Sequence, residues 1–514
     1  MIFHTEKTNF MSIACYVILA SFLYFISLVV YRLFFSPIAR FPGSKLTAAM
    51  GWVETYHDVV KGGQFTFQIQ KWHQQYGPII RINPDEVHIS DPDFYDIAYA
   101  SSAQYDKMPK WLDRFGLPGA VQSTVQHELH RNRRMTLNPH FSKKSINTFT
   151  WFLQQRNDQL CDRLLQEYKG TGKIVTMNDV WGALTADVII NYCFGWDYNF
   201  VGYPDFVAPF TQSLKELALG IHVAGHFPWF LKLLQSSPDW LVGLLNPGMK
   251  PVFSFQNEIK KQVIKIKEGD KEGYPSEKRK TVFTDILDSN LPPREKTVPR
   301  LQQEAAGVVG AAIETTKTTL SIATFHILNN PNVRQRLTTE LQEATFKDPQ
   351  NPTWTELEQL PYLTAVIKES LRLGYGVAQR IPRISKTKPI EYGAYSIPPG
   401  TPFSMSIYMQ HTSSVFEDCF AFNPDRWLSA AKVASAPGRE EKPLDRFLVP
   451  FSKGTRWCLG QNLAWAQVYI GISTLLRKVD LELFETGPEA VGAAKEYFVT
   501  LPAAETKGVR VTVR

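Results

Sequence analysis

The pattern of apolar and polar positions changes sharply within the first forty residues. From Phe10 to Tyr31 the chain runs 22 positions without a charge, FMSIACYVILASFLYFISLVVY. At a helical rise of about 1.5 Å per residue this covers about 33 Å, enough to cross a hydrocarbon layer of about 30 Å. The bulky YRLFF that follows offers no small-residue cleavage site, so a retained anchor is expected rather than a cleaved leader. A buried core helix fits poorly, because a helix apolar all round at the N-terminus has nothing obvious to pack against. Lys7 is the basic side chain before the span, and Arg32, Arg40 and Lys45 follow it closely. The positive-inside rule then places the bulk of the chain in the cytosol, as a single-pass protein. Ser36-Pro37 and Phe41-Pro42-Gly43 break the helix, so residues 36–45 read as a stiff hinge behind an anchor of residues 1–35.

Beyond the hinge the pattern is mostly of helical period. Ile79 to Ile82 alternates, Asn83-Pro84-Asp85 turns and Val87 to Ile89 returns, which predicts a hairpin. Helical spacing dominates from Gln126 to Lys267, with breaks at Gly195, Pro228, Pro238 and Pro247. A long helix is predicted over 299–329, closed by Asn330-Pro331, and another from Pro361 to Gly374, with proline in its first turn. Short strand-like pieces stand at 390–392, 403–405 and 509–513. The fold class is therefore mainly α with a small β-rich part. No internal repeat or second-domain linker interrupts residues 46–514, which are expected to form one large domain.

Composition narrows the classes. Among 514 residues, 44% are apolar and 20% charged, so a large core can form and neither a disordered chain nor a polytopic membrane protein fits. Aromatic residues reach 13%, which suits a chain that lines a large apolar cavity. The net charge of +7 is mild, and with no basic stripe nucleic acid is not an expected partner. The charged run from Lys265 to Lys280 reads as a solvated loop. Five cysteines, an odd number without a CxxC, argue against a disulfide framework and point to a reducing compartment.

One of those cysteines carries chemistry. Cys458 lies in FSKGTRWCLG, residues 451–460, just before a helical pattern that runs to about Leu476. Gly454 and Gly460 let the loop turn tightly around one sulfur. The free amides of the following helix and the cation Arg456 would favour a thiolate. A single cysteine lacks the companions of a zinc or iron–sulfur site, whereas one axial sulfur on a haem iron needs none. The bland alternative, a buried structural cysteine, is the better reading for Cys15, Cys161, Cys193 and Cys419.

The whole pattern FxxGxRxCxG resembles the signature of the cytochrome P-450 family, and further motifs follow the family's order from the anchor to the C-terminus. The resemblance implies the cytochrome P-450 fold, a single large haem-thiolate domain with a long central helix over haem b. It implies that Cys458 ligates the iron, with Phe451, Arg456 and Gly460 around the cofactor. Glu369 and Arg372, in KESLR, match the ExxR element, and Arg426, in FNPDRW, matches the arginine that completes a structural triad bracing the cysteine loop. The segment AAIETT, residues 311–316, is similar to the oxygen-binding groove, in which Thr315 would hydrogen-bond dioxygen and Glu314 would deliver protons. There Ala312 stands where the family has glycine, and the extra methyl narrows the groove. His130 and Arg134, four apart in HRNRRMTLNPHFS, resemble the pair that contacts the haem propionates; as plain residues they are a basic helix face. Arg383, in RIPR, looks like a further propionate contact, with Arg380 the competing choice.

By the same resemblance the chain is a monooxygenase that inserts one oxygen atom of dioxygen into an apolar substrate. No flavin or nicotinamide segment follows the cysteine loop, so electrons are expected from a separate NADPH-cytochrome reductase, a flavoprotein. The setting implied is the endoplasmic reticulum membrane, with the catalytic domain cytosolic. Residues 226–231 (HFPWFL) and 240–245 resemble a substrate-entry region that dips into the bilayer. Trp111–Val121, Ala305–Ala312 and Phe498–Leu501 are substrate-facing candidates. The stretch HELHRNRRMTLNPHFS looks most like fungal secondary-metabolism enzymes of the trichodiene-oxygenase type, which suggests a terpenoid or polyketide substrate. Two rivals stand beside this reading: a haem-thiolate isomerase or dehydratase that needs no dioxygen, and a membrane-anchored haem protein that binds a ligand without turnover.

Overall fold

In the computed structural model the described residues are 2–207, 209–245, 247, 250–268, 281–429, 431–503 and 505–514. Most of the charged run expected as a loop, residues 269–280, lies outside them. The chain divides into two compact units. The first comprises Met1–Ser90 and Pro382–Met405, and the second Asp91–Ile381 and Ser406–Arg514. The first unit is assembled from two segments about three hundred residues apart in sequence.

In the first unit the apolar N-terminal run is helical over Ile2–Val30 and continues as a wider π turn through Tyr31–Phe35. Ser12–Phe35 is long and apolar enough to cross a membrane, and none of its most apolar stretch is buried in the protein. The proline-rich segment behind it packs tightly: Ile38 and Phe41 are buried, and Phe41 stacks on Tyr395 at 5.2 Å. Arg81 fixes this junction. Its buried guanidinium donates to the carbonyls of Arg32 (2.7 Å), Pro84 (2.7 Å), Asn83 (3.3 Å) and Ala48 (3.3 Å). Four backbone acceptors thus replace the water that burial removes, and the end of the apolar helix is tied to the sheet.

The predicted hairpin is present as Ile79–Arg81 and Val87–Ile89, antiparallel, with Ile79 opposite Ile89. Val87–Ile89 also pairs in parallel with Pro402–Ser404, which pairs antiparallel with Arg383–Ile384. Ile390–Tyr392 and Tyr395–Ile397 form a separate hairpin.

The second unit is helical. Its core is built on Met177–Phe194, buried along nearly its whole length, and on Val298–Asn329, Thr150–Glu167, Pro361–Gly374 and Gln461–Lys478. Close approach needs small residues: a Cβ on Gly471 would meet Leu320 at 3.3 Å and Trp181 at 3.4 Å. The indole of Trp181, fully buried, donates to Thr324 Oγ1 at 3.0 Å. Gly195 ends Met177–Phe194 in the left-handed conformation, as its position predicted. Strands are few: Leu481–Leu483, Arg510–Val513 and Val175–Thr176 form one small sheet, and Lys495–Tyr497 pairs with Val499–Leu501.

Candidate functional site

The cysteine loop is shaped by backbone contacts before any ligand is considered. Cys458 N donates to Phe451 O at 2.9 Å, and Trp457 N to Gly454 O at 3.2 Å. Ser452 and Gly454 lie at φ +58° and +74°. A Cβ on Gly454 would collide with Tyr99 O, so glycine is required there on two counts. Gly460 is a correction to the sequence reading. Its φ is −83°, open to any residue, and among the described residues no atom beyond its chain neighbours lies within 4 Å of where its Cβ would stand. The protein's own packing therefore does not demand glycine at 460; it leaves that side of the loop clear. Phe451 packs on Trp465 with ring centroids 5.9 Å apart, and the helix Gln461–Lys478 starts immediately after Gly460.

The Cys458 side chain is solvent-accessible, yet burial pushes its thiol above the ordinary value. Both follow if the sulfur opens onto a space inside the fold. The N–H of Gly460 and the charge of Arg134 act in the opposite direction. The helix end and a cation thus reduce the cost of an anionic sulfur without cancelling it, so a thiolate here calls for a positive partner of its own. The helping cation is Arg134 on the helix His127–Leu137, where the sequence pointed to Arg456. Arg134 donates Nη1 to Trp457 O at 2.6 Å and Nε to Asn138 Oδ1 at 3.1 Å, and lies over the Trp457 ring at 5.4 Å. Its Nη2 is buried without a hydrogen-bond partner among the described residues. His130 is buried one turn earlier on the same helix.

Arg456 donates both terminal nitrogens to backbone carbonyls, Thr124 O and Val125 O, each at 2.7 Å. Arg380 and Arg383 are both buried, and only Arg380 belongs to the unit that contains Cys458. Arg383 begins the short strand Arg383–Ile384 in the first unit.

Glu369, Arg372 and Arg426 meet at one buried carboxylate. Glu369 and Arg372, on Pro361–Gly374, have no solvent exposure; Arg372 donates Nε and Nη2 to the carboxylate at 2.9 and 2.8 Å. Arg426 Nε reaches Glu369 Oε1 at 3.2 Å. Two further donors, Asn423 N and Trp427 Nε1, each 2.9 Å away, complete the acceptor shell of Glu369 and were not singled out in the sequence. His411 was missed entirely. Its Nδ1 meets Arg372 O at 2.9 Å and its Nε2 accepts from Val449 N at 2.9 Å. Burial, with Arg372 nearby, lowers its pKa to about 3. The ring is therefore neutral with its proton on Nδ1, joining the triad to the residues that enter the cysteine loop.

On the long helix Val298–Asn329, Ala311 is exposed between the buried Val309 and Ile313, so one face is open in mid-helix. Thr315 Oγ1 donates to Ala311 O at 2.8 Å, and Glu314 pairs with Lys317 at 2.7 Å. Of the other candidates, Phe498 takes φ +76° and packs edge-on against Phe115 at 5.0 Å, and the side chain of Trp111 lies outside the described residues.

Comparison with known proteins agrees with this geometry. The cytochrome P-450 family profile matches residues 47–504. A cytochrome P-450 monooxygenase of Eupenicillium brefeldianum is 43% identical over 495 residues, 96% of this chain and 97% of that protein. A cytochrome P-450 monooxygenase of Sordaria araneosa is 39% identical over 96% of each chain, and a tryptophan 6-hydroxylase of Fusarium equiseti is 39% identical over 95% of this chain and 94% of its own. The chain belongs to the cytochrome P-450 family: a haem enzyme with cysteine thiolate ligation and a monooxygenase. The residues fit that cofactor. An accessible sulfur that needs a cation, a buried guanidinium with an unpartnered nitrogen beside it, and a clear side at Gly460 suit iron flanked by carboxylates.

Proposed function

We propose that this enzyme inserts one oxygen atom into a terpenoid or polyketide intermediate of fungal secondary metabolism, by hydroxylation or epoxidation. The oxygen-insertion part of this reading is supported above all by the Cys458 sulfur, solvent-accessible and close to Arg134. Cys458 would hold the iron, with His130 and Arg134 answering its carboxylates, while Arg456 braces Thr124 O and Val125 O through both terminal nitrogens. When bound, haem supplies the oxygen chemistry, with thiolate donation favouring O–O cleavage. Thr315, whose hydroxyl donates to Ala311 O at 2.8 Å, would be the side chain that offers a hydrogen bond to dioxygen. Glu314, half-buried and paired with Lys317, holds the proton route on the same turn.

Electrons come from an NADPH-dependent flavoprotein reductase in the endoplasmic reticulum membrane, where the apolar N-terminal helix anchors the chain and leaves the catalytic part cytosolic. A second apolar surface supports membrane contact. The helices Leu217–His226 and Pro228–Ser236 meet at 119°, with Trp229 and Leu233 exposed, and Trp240 is exposed close behind.

The test is to express the full chain with such a reductase and offer terpenoids, polyketides and, given the Fusarium relative, tryptophan. A product one oxygen atom heavier, dependent on dioxygen and NADPH, supports the proposal. Product formed without reductase would indicate the isomerase or dehydratase, and tight binding without dioxygen consumption the ligand-binding protein.

A further inference from the structure

The candidate substrate-facing segment Trp111–Val121 ends in a stretch without long helix or strand, residues 119–125, buried at Ala120, Val121, Ser123 and Thr124. Its own hydrogen bonds are short turns: Ser123 N to Ala120 O and Thr124 N to Val121 O. Such a segment takes its position from outside contacts. Those contacts are specific. Gly119 N donates to Gln303 Oε1 at 2.6 Å. Val121 N donates to both oxygens of Glu304, at 3.1 and 3.3 Å. One turn on, a Cβ on Gly307 would stand 2.8 Å from the side-chain amide of Gln122, so the segment lies directly against the helix. At the far end Arg456 holds Thr124 O and Val125 O, and Arg133 Nη1 donates to Thr124 Oγ1 at 2.8 Å.

The acid in this arrangement is itself held. Glu304 is buried and pairs with Arg300 at 2.6 Å; Arg300 reaches Glu295 at 3.1 Å, and Glu295 pairs with Arg133 at 2.7 Å. Four buried charges alternate, so Glu304 stays fixed where Val121 N needs it. The stretch is thereby held from the helix carrying Glu314 and Thr315, from the loop carrying Cys458 and from Arg133 on His127–Leu137, and Lys107 N donates to Val125 O at 3.1 Å.

We infer that Gln303, Glu304 and Gly307 form a clamp that sets the position of residues 119–125 over the reaction cavity, making them positioning residues for substrate size and shape. The inference rests on the haem-enzyme reading and adds which residues fix the wall.

The probes are imidazole and clotrimazole, a small and a bulky azole that bind haem iron, titrated by the Soret shift of purified holoenzyme. In Gly307→Ala the new methyl displaces the Gln122 amide, a flexible end, so the variant is expected to fold. Its affinity for clotrimazole should change by about 5-fold or more, while that for imidazole stays within about 2-fold. Gln122→Ala in the same chain removes the obstacle and should restore the wild-type ratio of the two affinities. Glu304→Gln, which keeps an acceptor but loses the charge, should move the ratio as well. Unchanged ratios in Gly307→Ala, or a change that Gln122→Ala fails to reverse, would overturn the clamp. Were the wild-type chain to lack the haem-thiolate Soret band of the reduced carbon-monoxide complex, the haem reading itself would fail, a separate result.

Discussion

Replacing His411 by alanine tests whether the buried triad reaches the iron ligand through one ring. The imidazole is fully buried and bonded at both nitrogens, to Arg372 O and Val449 N. Alanine leaves the Val449 N–H buried without a partner, at about 1–3 kcal/mol, and takes from Arg372 O its shorter bond, leaving Tyr375 N at 3.3 Å. It also leaves the space of a ring between Phe416 and Tyr375. Counting these losses and part of the cavity, a loss of about 5 kcal/mol is expected, a large share of a typical total of about 5–15 kcal/mol. At about 1–2 °C per kcal/mol for a chain of this size, Tm should fall by about 5–10 °C. The damage should also be local to the iron. Val449 leads into Phe451, whose carbonyl holds Cys458 N, so the reduced carbon-monoxide complex should shift from the thiolate Soret band toward that of a neutral thiol. Glutamine can donate and accept, and His411→Gln should recover part of both signals. A His411→Ala enzyme with full haem content, an unshifted band and a Tm within about 2 °C of wild type would refute the reasoning.

Four further outcomes are expected. Cys458→Ser should abolish the thiolate Soret band and turnover together, checked by difference spectra and product assay. Glu369→Ala strands two guanidinium groups, an indole N–H and a backbone N–H. It should yield little soluble holoenzyme, with a loss of about 3–5 kcal/mol or more, whereas Glu369→Gln should retain measurable haem content. Gly454→Ala forces an L residue into φ +74° against Tyr99 O and should lower haem content at a given expression level by several-fold, measured by pyridine haemochrome against total protein. Stability should fall as pH drops below 6.5. His411, His326 and His73 have pKa values lowered by burial to about 3, 4 and 4, so the unfolded chain takes up protons there before the folded one does. Asp187, raised to about 6 by burial, contributes in the opposite sense, its stabilisation being lost as pH rises through 6. His57 is lowered by burial as well and Glu304 raised, so four groups against two predict a net loss between pH 6.5 and 4, measured by denaturant titration; a flat profile there would contradict it.

What could be read from the sequence was what neighbouring residues decide among themselves. The hairpin at 79–89 follows from strict alternation around Asn83-Pro84, and Pro361–Gly374 from a first-turn proline and a terminal glycine. Glu369 and Arg372 meet because residues three apart on a helix share a face. The hairpin Lys495–Leu501 was not foreseen, because its turn passes through Phe498 at φ +76°, a conformation that sequence marks with glycine or asparagine, not phenylalanine. Glycines 454 and 460 look alike as letters, yet only the first is demanded by the backbone, since that distinction depends on Tyr99, more than 350 residues away.

The same limit explains why the chemical roles were legible while their supports were not. A ligand loop must carry its own cysteine, so FxxGxRxCxG is compact. The groups that aim it need only meet it in space. Arg456 spends its terminal nitrogens on Thr124 and Val125, 332 and 331 residues earlier, and Arg134, read from a basic helix face, is the cation that acts on Cys458. His411 joins two motifs while belonging to neither. Each is a polar side chain whose partner is a backbone carbonyl or N–H, and a backbone group has no letter in the sequence. Bracing of this kind can change partners without changing the motif it braces. The substitutions that alter a site like this one without abolishing it are therefore to be sought at Arg456, His411 and Glu304 before the cysteine loop itself.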